Sequence, residues 1–116
     1  MLPLVYPLIT GDPAASAIVG DRVYRHGFAP EGVADPYVTW VSTGSPENTL
    51  SDAPLVDGSQ VQVDVWASGD QVAEDAAKAV RNAIERRYHM TSFSTGRDAV
   101  TLRYRISMTF RFWTHR

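Results

Sequence analysis

The side chains able to do chemistry here are three histidines, a scatter of serines and carboxylates, and an unusual number of arginines. His26, His89 and His115 lie far apart, and none has a second histidine or a carboxylate at ligand spacing on a firm helix. A metal site needs convergent ligands, so these read as surface or loop histidines. No serine sits in a Gly-x-Ser-x-Gly turn, which leaves a hydrolase nucleophile without support. Gly44, Gly58 and Gly69 fall at turns, and no glycine-rich loop follows a strand in the way that cradles phosphate. The chain has no cysteine, which removes disulfides and thiolate metal sites. The expectation is a protein without catalytic residues, cofactor or metal.

The remaining candidates alternate along the chain. In "QVQVDVWAS", residues 60–68, Val61, Val63, Val65 and Ala67 share one side, and Gln62, Asp64 and Trp66 share the other. That is the period of a strand with one buried face. A tryptophan beside a carboxylate on the open side needs explaining. The tail, "DAVTLRYRISMTFRFWTHR", alternates as well. Val100, Leu102, Tyr104, Ile106, Met108, Phe110 and Phe112 occupy one face, and Thr101, Arg103, Arg105, Ser107, Thr109, Arg111 and Trp113 the other. Set against this strand, Asp64 is a cross-strand ion-pair partner for Arg103 or Arg105. Together, Asp64, Trp66, Arg103, Arg105, Arg111 and Trp113 have the arginine and tryptophan content of an interface hot spot. The same arginines and aromatics also suit a nucleic-acid surface. The net charge of −2 and Asp64 on the same face argue against that.

The elements that must position these residues are legible from capping and periodicity. "GDPAASAIVG" reads as a short helix, with Asp12 as cap, Pro13 at its first position and Gly20 at its exit. "LPLVYPLIT" before it allows a turn or two of helix. Arg22 to Tyr24 and "YVTWVS", residues 37–42, read as strands. Residues 44–58 are rich in turn formers and read as a long loop, with Leu50, Leu55 and Val56 as its apolar anchors. A connection of that length is usually functional or disordered; here it is either an arm that orders on a partner or an idle excursion. Behind the 60–68 strand, Ser68 and Gln71 have capping-box spacing. Val72, Ala76, Val80, Ala83 and Ile84 then form an apolar helical stripe flanked by Ala73 and Ala77. The tail would span about 50 Å as one strand, so it is bent, bulged or longer than its sheet. "HMTSFSTGR" before it is a candidate partner strand, with a turn at Thr95 and Gly96.

At 116 residues the chain makes a single domain, 1–116. No apolar run approaches a membrane span, and "MLPLVYPLIT" lacks the basic start of a secretory signal, so a soluble protein is expected. Charge is unevenly divided: residues 1–80 carry −8 and residues 81–116 carry +6. Either the halves neutralise one another within one fold, or acidic and basic surfaces meet between copies.

Taken in order, "GDRVY", "DPYVTW" and "VQVDVWASGDQVAEDAAKAVRNAI", followed by a strand of alternating arginines, resemble the tail-completion or tail-terminator proteins of long-tailed bacteriophages and prophages. The resemblance covers nearly the whole chain, apart from residues 44–58 and the C-terminal strand. It implies an α+β fold: a small mixed or mainly antiparallel sheet of about four strands with helices packed on one face. It also implies a structural virion protein that caps the tail tube as a ring, commonly of six subunits. Such a ring ends tube polymerisation and offers the surface that joins the head. The implied partners are further copies of the chain, the tail-tube protein and a head-completion or connector protein. DNA would be met only in the lumen. The alternatives are a head–tail connector ring and, in another class, a nucleic-acid-binding module.

Overall fold

The computed structural model describes residues 3–47 and 56–115. The elements run α1 (Val5–Thr10), α2 (Pro13–Val19), β1 (Val23–Arg25), β2 (Tyr37–Glu47), β3 (Val56–Ala67), α3 (Asp70–Glu85), β4 (His89–Arg97) and β5 (Tyr104–His115). The five strands form one mixed sheet in the order β1-β2-β3-β5-β4. Only β1 and β2 are parallel; all other neighbours are antiparallel. This is the expected α+β architecture, with one strand more than the four anticipated.

The core lies between the helices and one sheet face. Val61, Val63 and Val65 on β3 meet Val38 and Trp40 on β2 and Met108, Phe110 and Phe112 on β5. Against them α3 lays Ala76, Ala77, Val80, Ala83 and Ile84, and α1 and α2 add Val5, Ile9, Ala15 and Val19. The small alanine side chains let the α3 backbone approach the sheet closely. Val72, expected in the stripe, is half-exposed; the buried face begins instead at Ala73.

Both ends of α2 match their sequence signals. Asp12 accepts a hydrogen bond from the Ala15 backbone N–H at 3.0 Å, and Pro13 opens the helix. Gly20 leaves it at a φ of 61°, where a side chain would be strained and its Cβ would lie 3.2 Å from the Arg22 guanidinium. That guanidinium donates to the Ile18 and Pro36 carbonyls, both at 3.0 Å, tying α2 to the entry of β2. Asp12 also reaches Arg86 Nη2 at 2.6 Å, an ion pair outside well-aligned hydrogen-bond geometry that joins α2 to the end of α3.

Three boundaries differ from the sequence expectation. Residues 44–58 are not one loop: β2 runs to Glu47 and β3 starts at Val56, paired from Gly44 with Ser59 to Glu47 with Val56. The turn formers there were outweighed by continuation of the antiparallel ladder, which satisfies each backbone group it extends through. Of the supposed anchors, Leu50 and Leu55 lie outside the described residues, and Val56 opens β3. The tail is not one strand from Asp98. Residues 98–103 form a turn in which Leu102 adopts a φ of 60°, and Val100 and Leu102 are exposed. Finally, β4 continues through Thr95 and Gly96 to Arg97, so the reversal falls after Asp98. The Asp98 side chain accepts from the Val100 N–H, and its backbone exchanges hydrogen bonds with Leu102 and Arg103.

A candidate protein-interaction face

The sheet side away from the helices is built by strand parity alone. Tyr37, Thr39, Val41 and Thr43 come from β2, Gln60, Gln62, Asp64 and Trp66 from β3, and Arg105, Ser107, Thr109, Arg111 and Trp113 from β5. Register fixes which of them meet. Across β3 and β5 the pairs are Trp66 with Arg105, Asp64 with Ser107, Gln62 with Thr109, Gln60 with Arg111 and Gly58 with Trp113. Across β2 and β3, Tyr37 faces Trp66 and Thr39 faces Asp64. Five of the six residues anticipated for this face, Asp64, Trp66, Arg105, Arg111 and Trp113, therefore stand on it. Arg103 lies just before β5 but reaches Tyr37.

Three aromatic rings of the face, Tyr37, Trp66 and Trp113, each carry an arginine. The Arg103 guanidinium lies 5.4 Å from the Tyr37 ring centre, Arg105 lies 5.8 Å from Trp66, and Arg111 lies 4.8 Å from Trp113. All are within cation–π range, worth about 0.5–1 kcal/mol each at exposed sites. Tyr37 and Trp66 stack at 6.2 Å and 12° between planes. The Trp66 indole N–H donates to Thr39 Oγ1 at 3.0 Å. Trp66 is thus half-buried within its own chain, held by Thr39 at its N–H, stacked with Tyr37 and covered in part by Arg105. Trp113, at 47% exposure, is the most open aromatic of the face. The guanidiniums lie over the rings on which bases would have to stack, so the face is no bare stacking platform for nucleic acid.

Asp64 departs from expectation. Among the described residues it makes no ion pair to an arginine; it accepts from Ser107 Oγ and from Gln62 Nε2, the latter at 3.1 and 3.2 Å to its two oxygens. The reason is register: Ser107 stands opposite Asp64, and Arg105 stands opposite Trp66. A shift of two residues decided the partner.

A second cluster closes the end of the face. Asp35 Oδ2 accepts from the Ser68 N–H at 2.6 Å and the Ser68 hydroxyl at 2.5 Å, and lies 4.0 Å from Arg103 Nε. Chiefly through the Ser68 hydroxyl bond, the Asp35 carboxyl is held below its ordinary pKa of 3.8 against a smaller opposing effect of burial. Ser68 therefore does not cap α3 in a box with Gln71. Gly69 takes the cap position without a side-chain bond, and Gln71 donates to Asp75 at 2.9 Å. The sequence reading missed Tyr37, Thr39 and Asp35. The first two were within reach, because the alternation of "YVTWVS" already puts Tyr37 and Thr39 on the side opposite Val38 and Trp40. Asp35 is joined to Ser68 across 33 residues, and no local signal marks it.

No three of the described His, Asp and Glu residues are placed to hold a metal ion, and no described helix is long and apolar enough to cross a membrane. The family model for tail completion protein gp17 matches residues 4–115. The chain belongs to that family. Membership makes it a structural protein of bacteriophage tails, located in the virion. No curated protein matches it by sequence. A solved chain from the virion of a native gene transfer agent particle has the same fold, with a TM-score of 0.74 at 23% identity over 97% of this chain and 92% of that one.

Proposed function

We propose that this tail completion protein caps the tail tube as a ring of its own copies, stops further addition of tube protein and presents the surface that joins the head side. It works by interlocking surfaces and catalyses nothing. The observation that carries this reading is the open sheet face. It is broad, faces away from the core, and is preset by Tyr37–Trp66 stacking and three arginine–aromatic pairs. Aromatic and arginine side chains already held in one rotamer lose little entropy on binding, which suits a docking surface. A six-subunit ring follows from the family resemblance.

The test is mass measurement in solution, alone and with the tube protein, together with the length of tubes assembled in vitro. The expected result is a closed oligomer, alone or on the tube, and tubes that stop growing when the protein is added. A protein that stays monomeric at high concentration and beside the tube protein would overturn the reading. Binding to a head-side connector with no effect on tube growth would instead assign it to the connector ring.

A further inference from the structure

The two edges of the sheet are unlike, and together they are complementary. One edge is β4, nine residues that among the described residues pair with β5 alone. Native sheets blunt such edges with charge or proline. Here the only ionisable residues, His89 and Arg97, stand at the strand ends, and no proline occurs. Beside this edge, on the helix side, a groove of about 250 Å³ opens between α3 and β4. Ala77, Met90, Phe93, Ile106 and Met108 form its apolar lining, charged α3 side chains from Asp70 to Arg81 line it as well, and Phe93 is 67% exposed. An unpaired backbone edge beside a groove with an apolar floor and charged residues in its lining is an arrangement that can accept an added strand.

The opposite edge is β2, which β1 covers only from Val38 to Trp40. Among the described residues, no strand pairs with the outer side of 41–47; Pro46 near its end has no backbone donor, so residues 41–45 carry the free N–H groups of this edge. Charge is divided along the sequence: residues 21–47 carry Asp21, Glu31, Asp35 and Glu47 against Arg22 and Arg25, whereas residues 86–116 carry seven arginines against Asp98. The basic segment supplies β4 and its neighbour β5, with Arg97 on the edge strand itself and Arg105 and Arg111 one strand in, while Arg103 is spent on Tyr37 and Asp35. Strand directions also agree. β5 runs with β2, and β4 runs against both, so a repeat of the same sheet would meet β4 in antiparallel fashion.

We propose that the outer edge of β4, with the groove beside it, takes the outer edge of β2, residues 41–47, of a second copy, so that the sheet of one copy continues into the next. This rests on the ring reading and names the contact that builds the ring. The contact is head-to-tail, with different surfaces on the two sides, and closes when its rotation permits. The mixed face with Trp66 and Trp113 is then left free for the tube or the head side.

Two variants test it, each measured for oligomer mass alone and with the tube protein. Phe93→Glu puts a charge in the groove at an exposed position. It should leave the circular dichroism spectrum and melting of the monomer unchanged and weaken self-association about tenfold to a hundredfold. Thr43→Cys with Ser94→Cys, in a chain that has no other cysteine, places one thiol on each proposed edge, both exposed on the same sheet side. A short thiol–thiol crosslinker should yield ladders of covalent oligomers from the double variant. Ser94→Cys alone should give none. A ring that forms normally with Phe93→Glu, or a double variant that fails to crosslink within a ring, overturns the edge contact and leaves the ring reading standing. Covalent dimers from Ser94→Cys alone would show β4 meeting β4 and overturn it too. Absence of any oligomer under either condition overturns both.

Discussion

At the scale of single residues, Trp66 does two things at once. Its N–H and one ring face are committed to Thr39 and Tyr37, and Arg105 lies over the ring. Trp66→Ala should therefore cost about 1–2 kcal/mol of folding stability, from lost stacking and an orphaned Thr39 hydroxyl, without unfolding the domain. It should also weaken tube capping by more than that loss explains. Arg105→Glu keeps the strand and reverses one charge, so it should leave urea denaturation within about 0.5–1 kcal/mol of the parent while abolishing tube binding. If either variant unfolds outright, the face is core. Asp35 makes a separate, pH-dependent prediction. Its carboxyl is more acidic folded than unfolded, so the stability it adds is present above pH 3.8 and is lost as pH falls through the lowered folded value. The difference in unfolding free energy between parent and Asp35→Asn, about 1 kcal/mol at neutral pH, should shrink toward zero in that acidic window. A difference that stays constant with pH would place the bond with Ser68 outside the cause.

At the scale of elements, the ion pair between Asp12 and Arg86 is lopsided: Asp12 is 4% exposed, and Arg86 is 67% exposed. Removing the arginine leaves the buried Asp12 Oδ1 without its counter-charge and should cost about 1–3 kcal/mol. Asp12→Ala removes the helix cap as well and should cost about 1–2 kcal/mol in chemical denaturation. Elements with local signals were legible: α2 from its proline, aspartate and glycine, α3 from its alanine-rich stripe, and the buried face of β3 from Val61, Val63 and Val65. The mixed face followed because parity is inherited along a strand. What could not be read was set at a distance. The pairing of Gly44 with Ser59 overrode turn propensity, and the alignment of Asp64 with Ser107 depends on how β3 and β5 slide past each other. Leu102 carried the right period but fell in a turn, and periodicity alone does not say where a strand starts.

For the whole molecule, the uneven division of charge between residues 1–80 and 81–116 should make self-association sensitive to salt. Raising ionic strength from low values to about 0.5 M shortens the screening length to a few ångströms, and the oligomer measured by sedimentation should dissociate or form more slowly. An assembly indifferent to salt would show that the charge division is balanced within each copy. The strand order has one more consequence. β5 comes last in the sheet's sequence order yet lies between β3 and β4, which are made earlier. A nascent chain that has emerged only as far as residue 103 has β3 and β4 with a vacant lane between them, and α3 lacks the Met108, Phe110 and Phe112 side chains it packs against. The sheet therefore closes in a single late step, when Met108, Phe110 and Phe112 slot in. A chain cut short before that step lacks Met108, Phe110 and Phe112 of the core and Arg105, Arg111 and Trp113 of the mixed face, so the docking surface is complete only when the last strand is in place.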